Sequence, residues 1–147
     1  MRLYKLFNED KELLYVGQTT NRVKQRIKQH FQQLKDKYTS LEDKNIWVKD
    51  IAYFSYSEQL KNAAELDIYE IYEMSRSNPK ENIRNNHDEE PSFILPKLDW
   101  EELHPISELD YDVEEYKQLA KKLEKKREEK QKERQEKIHE MEEDVSL

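Results

Sequence analysis

The run LYKLFNEDKELLYVGQTTNRVKQRIKQHF, residues 3–31, sets Tyr4 and Tyr15 in two apolar segments on either side of the polar stretch NEDK. Gly17, the only glycine of the chain, follows the second segment, and Arg22, Arg26 and His30 then recur every fourth residue. The two apolar segments are too close together for anything but a hairpin. A turn centred between Glu9 and Asp10 places Leu6 opposite Leu13 and Tyr4 opposite Tyr15. Directly opposed residues project from one sheet face, so the two phenols are expected side by side. After the hairpin, Thr20 or Asn21 is placed to cap a helix. Val23, Ile27, Phe31 and Leu34 form its apolar stripe. Arg22, Arg26 and His30 form a second row about 100° around the helix.

Farther along, IWVKDIAYFSYS reads as a third strand with a lead-in. Ser57 then stands as the cap of a second helix, EQLKNAAELDIYEIYEM, with Leu60, Ala64, Ile68 and Ile71 as its buried stripe. Glu70 falls on the flank of that stripe, close to Ala63, among the other acids Glu65, Asp67 and Glu73. Pro79 in SNPKEN stops the helix. The expected fold is a mixed α/β (α+β) domain at 1–86, with a three-stranded antiparallel sheet flanked by helices. Residues 87–115 read as an acidic, proline-containing linker anchored at Phe93–Leu95 and Trp100. Residues 116–147 read as a charged helix. Between Leu123 and Ile138 that helix has no apolar residue, which excludes a continuous coiled-coil seam and leaves a solvated single helix.

The bulk composition bounds the function. Of 147 residues, 40% are charged and 35% hydrophobic, too polar for a single compact globule throughout. No run of 18 apolar residues is present, nor the apolar core of a signal peptide, so a cytoplasmic protein without a membrane partner is expected. The absence of cysteine excludes disulfides and thiolate chemistry. The net charge of −7 is uneven: residues 1–86 hold 15 Lys+Arg against 13 Asp+Glu, whereas residues 87–115 hold 1 against 11. A mildly basic first segment is compatible with a nucleic-acid partner. The opposite signs also suggest that the strip 88–115 docks on the basic helix 22–30 and competes with DNA there.

Phenols, guanidiniums and a carboxylate are the groups that phosphodiester cleavage calls for. Water must lose a proton, developing charge must be neutralised, and a hard cation commonly sits on a carboxylate. Here the residues resemble the GIY-YIG nucleases. LYK (residues 3–5) stands at the first motif, YVG (15–17) at the second, Arg26 and His30 at the helical pair, AELDIYE ending in Glu70 at the metal glutamate, and NPKEN ending in Asn82 at the closing asparagine. Arg2 stands where the first motif has glycine. Leu3 and Val16 replace isoleucines. The resemblance implies metal-dependent cleavage of DNA by an endonuclease. Tyr4 and Tyr15 would activate water, Arg26 would steady the phosphate, Glu70 would hold Mg²⁺ or Mn²⁺, and His30 and Asn82 would support the site. Gly17, Arg22 and Lys24 are expected to contact DNA. Which tyrosine takes the proton stays open at this point. The alternative is a silent module of the same fold that binds nucleic acid or protein.

Overall fold

The computed structural model describes residues 1–81, 94–109 and 112–145; the expected Asn82 and Phe93 lie outside these described residues. Strands β1 (Arg2–Phe7), β2 (Leu13–Thr19), β3 (Tyr53–Tyr56) and β4 (His104–Pro105) form one antiparallel sheet in the order β2-β1-β3-β4. The sheet is therefore four-stranded rather than three-stranded. The added strand comes from the acidic strip, where the side chain of His104 stacks on Phe54 at 5.3 Å and on Tyr56 at 5.8 Å.

The hairpin forms, but its register differs by two from the expected one. Tyr4 lies opposite Gly17 and Leu6 opposite Tyr15. The loop is longer than a two-residue turn. Lys11 adopts a left-handed φ of 62°, the Asn8 side chain accepts from Glu12 N (2.9 Å), and the ladder is irregular between Leu6 and Phe7. A slip of two keeps side-chain parity, so both phenols still share a face.

Helix α1 (Val23–Gln32) buries Val23, Ile27 and Phe31 as expected. Its N-cap is Arg22, with no side-chain cap bond, rather than Thr20 or Asn21. Helix α2 (Ala63–Ser77) starts six residues after Ser57. Asn62 is its cap, accepting from Glu65 N at 2.9 Å, while the Ser57 hydroxyl accepts from Leu3 N. The buried face of α2 is Leu66, Tyr69, Tyr72, Glu73 and Met74, and the expected Ile68 and Ile71 are 47% and 44% exposed. Aromatic and Met side chains take the core positions, and Glu73 joins them because Lys5 meets its carboxylate at 3.0 Å.

Two apolar clusters hold the sheet between layers. Tyr4, Leu6 and Phe54 pack with α1 and with helix α3 (Val113–Val145) through Val113 and Ala120. Leu3, Leu66, Tyr69 and Leu98 pack on the opposite side with α2. Residues 94–109 follow β3, with Glu101 N bonded to Tyr56 O (2.9 Å) and Ile106 N to Ala52 O (2.9 Å). Among the described residues, no ion pair joins this strip to Arg22, Arg26 or His30. Its acid Glu108 pairs with His104 Nδ1 (2.9 Å), and Glu115 at the start of α3 pairs with Lys35 (3.7 Å). No helix among the described residues is long and apolar enough to cross a membrane.

Candidate active site

Because β2 is the outer strand, α1 on one face of the sheet and α2 on the other can both reach past its edge. There they bound a cleft of about 720 Å³. β2 contributes Tyr15 to it, α1 contributes Arg26 and His30, and α2 contributes Glu70. Four of the residues expected from sequence thus meet around one space.

The phenols stack with ring centroids 6.0 Å apart. They occupy different depths: Tyr15 lines the cleft, whereas Tyr4 is fully buried behind it. The Tyr4 hydroxyl is hydrogen-bonded to His30 Nε2 at 2.6 Å. Gly17 explains how the rings fit. A Cβ there would stand 2.7 Å from Tyr15 Cε1 and closer still to the Tyr4 ring and hydroxyl. Gly17 has no positive φ, so space rather than backbone angle requires the glycine. It is buried beneath the phenols.

Ionisation in the cleft is shaped by burial. Tyr4 is held well above the usual phenol value, first by burial and then by Tyr15. Burial also raises Tyr15, against the pull of the Arg26 guanidinium. His30 is pushed down to about 3 by burial and by Arg26, so it is a neutral imidazole at physiological pH. Glu70 is half-buried, and burial followed by repulsion from Asp67 lifts it to about 7. No described residue hydrogen-bonds or ion-pairs with its carboxylate. A carboxyl lifted in this way gains more from a hard cation than a solvated one, and its oxygens suit Mg²⁺ or Mn²⁺. Glu70 is therefore the residue that would hold such a cation. The described residues contain no group of three or more acids and histidines arranged to hold a metal among themselves.

Arg22 and Lys24 are not in this cleft; they line an adjoining groove with Arg2. Three cleft residues had no sequence signal. Trp47 stacks on Tyr15 (5.3 Å, 16° between planes) from the 3₁₀ turn Ile46–Asp50, which carries no periodicity. Gln33 orients the approach to that turn by accepting from Asn45 N (2.9 Å). Glu81 enters because its backbone N bonds to Leu14 O of β2 (2.7 Å), a long-range pairing that composition does not announce.

A family model, the GIY-YIG catalytic domain, matches residues 1–83, more than half of the chain. The fold and the assembled cleft agree with that match, and the chain belongs to the GIY-YIG family, a family of nucleases. No curated protein and no solved structure matches it.

Proposed function

We propose that the protein is an endonuclease that hydrolyses DNA phosphodiester bonds with the help of a divalent metal. The observation that carries this reading is the convergence of Tyr15, Arg26, His30 and a Glu70 carboxyl lifted to about 7 in one cleft at the β2 edge.

A divalent cation on Glu70 would supply Lewis-acid neutralisation of charge developing on the phosphate. Arg26 presents parallel donors to the phosphate oxygens, and it becomes most useful as negative charge grows there. Tyr15 is the phenol that reaches the cleft, so it is the group that accepts the proton of the attacking water. Tyr4 lies behind Tyr15, stacked on its ring and hydrogen-bonded to His30 Nε2, so the pair holds the Tyr15 ring in place. The Arg26 guanidinium favours the Tyr15 phenolate. Asn82, from the family pattern, is proposed to close the site. Trp47 holds the Tyr15 ring flat against the cleft wall.

The test is supercoiled plasmid with Mg²⁺ or Mn²⁺, alongside EDTA and Glu70→Ala. Relaxed or linear product that vanishes in both controls is expected. No product from folded, metal-loaded protein would instead leave a silent binding module.

A further inference from the structure

The replacement of the first-motif glycine by Arg2 places a cation where the nuclease reading has no use for one. Arg2 begins β1 opposite Thr19, at the end of the sheet from which the chain enters α1. Its guanidinium lies 5.2 Å from the centre of the Tyr56 ring, and Nη1 donates to Ser57 O at 3.2 Å. A guanidinium has five donors, so this fixing leaves most of the fork open. Beside it, Arg22 and Lys24 project from the start of α1, and the three cations line one groove of about 460 Å³ with no carboxylate among the described residues of its wall. Arg22 and Lys24 are exposed, and no described carboxylate pairs with either.

This groove is continuous with the active-site cleft. A shallow intermediate depression shares Arg26 and Asp67 with the cleft, and Thr20 and Asn21 with the Arg2 groove. Charge along the path is polarised: Asp67 and Glu70 stand at the cleft end, and the described charged residues at the other are Arg2, Arg22 and Lys24. Arg22 and Arg26 are one helical turn apart, about 6 Å. That is the scale of one or two nucleotides, which rise about 3.4 Å each along a strand.

We propose that Arg2, Arg22 and Lys24 form a second phosphate site, which holds the backbone of the nucleic-acid strand next to the scissile phosphate seated at Arg26. The site rests on the nuclease reading for its substrate and sets the direction in which the strand leaves the cleft. Arg2 touches no reacting atom. Its work is to bind and orient the strand independently of base sequence.

The test is binding of a fluorescently labelled DNA duplex in EDTA, where nothing is cut, across a sodium chloride series. Plots of log K against log [salt] should be shallower for Arg2→Gln than for wild type by about 0.9, the slope carried by one phosphate contact. Arg2→Lys should keep the wild-type slope. Lys132→Gln, on the exposed part of α3, should keep it too. In Mg²⁺, Arg2→Gln should raise KM and leave kcat unchanged. If Arg2→Gln fails to fold, the exposed pair Arg22→Gln with Lys24→Gln should lower the slope by about 1.8. An unchanged slope, or an equal loss in Lys132→Gln, overturns the second site. Cleavage with an unchanged slope leaves the nuclease standing and removes the groove. Binding with a reduced slope but no cleavage keeps the groove and removes the nuclease, and a wild type that binds no DNA removes both.

Discussion

Where α3 packs against the 3₁₀ turn Ile46–Asp50, partly buried cations meet partners. Lys49 pairs with Glu124 at 2.9 Å, Lys117 donates to Ile51 O at 2.6 Å, and Arg127 Nη2 donates to the carbonyls of Leu41, Glu42 and Lys44. At the β2 edge the half-buried Glu70 carboxyl has no such partner among the described residues, and buried Tyr4 and His30 meet each other rather than a charge. Glu70 is lifted to about 7, His30 is depressed to about 3, and Tyr4 is raised far above its usual range. Matched charges position backbone and serve the fold. Unmatched ones cost stability and are retained where a ligand completes them, which is how perturbed groups in a cleft mark a site. The family match ends at residue 83, yet the matched side belongs largely to α3, far beyond it. The helix is therefore more than an appendage: its first four turns brace the segment that carries Asn45 and Trp47 to the cleft.

Exchanging one cation on each side separates the two roles. Arg26→Gln should lower kcat by about 10² to 10³, the usual loss when a transition-state donor is removed. Its unfolding midpoint in urea should move little, because among the described residues the side chain hydrogen-bonds only to Gln29 on its own helix. Equal cleavage by Arg26→Gln would break the comparison at its strongest point. Rate against pH is the next sharpest probe. Tyr15 stands above the usual phenol value in the metal-free protein, so the phenolate fraction, and with it the rate, should rise close to tenfold per pH unit from 7 to 9. A flat profile would take the base role from Tyr15.

Stability measurements come next. Arg127→Met should lower stability by about 2 kcal/mol, since a charged donor to three carbonyls is lost at a partly exposed site. The expected signature is a lower urea midpoint with an unchanged m-value. Gly17→Ala should cost about 1–3 kcal/mol by overpacking against both phenols. It should also reduce cleavage, because Tyr15 cannot keep its position.

The acid–base terms have opposite signs. Glu70 binds its proton more tightly when folded, so its contribution is present at low pH and is lost as pH rises from the ordinary carboxyl value to about 7. His30 binds its proton less tightly when folded, so its contribution is present above about 6.5 and is lost as pH falls toward 3. In metal-free protein, Glu70→Gln should therefore raise the melting temperature at pH 8 relative to wild type and change it little at pH 4. Thermal melts at the two pH values check the sign.

Much of the site was legible because its chemistry is carried by short-range pattern. The four-residue spacing of Arg22, Arg26 and His30 is a helical period, and Tyr4 and Tyr15 share a face in any register of the right parity. The register itself was not legible, because Lys11 takes a left-handed turn that NEDK does not announce. The start of α2 was misplaced because Ser57 and Asn62 are both plausible caps, and only the tertiary bond from Leu3 N to Ser57 decides between them. The stripe of α2 was misassigned because Ile68 and Ile71 look like core, while Tyr69, Tyr72 and a Lys5-paired Glu73 take that place. β4 is two residues long, and no periodicity can reveal a strand of that length. Arg2 read only as a departure from the first motif's glycine; the neighbourhood of Tyr56, Arg22 and Lys24 shows it lining a groove.

The most direct measurement is the ¹³C shift of the Glu70 carboxyl against pH by NMR, with Glu70→Gln to assign it, in metal-free protein and again with saturating Mg²⁺. The expected result is a midpoint near 7 without metal that falls well below that value with it, as a cation completes the unmatched charge. A midpoint at the ordinary glutamate value, indifferent to Mg²⁺, would contradict the claim that the cleft holds a carboxylate waiting for a metal.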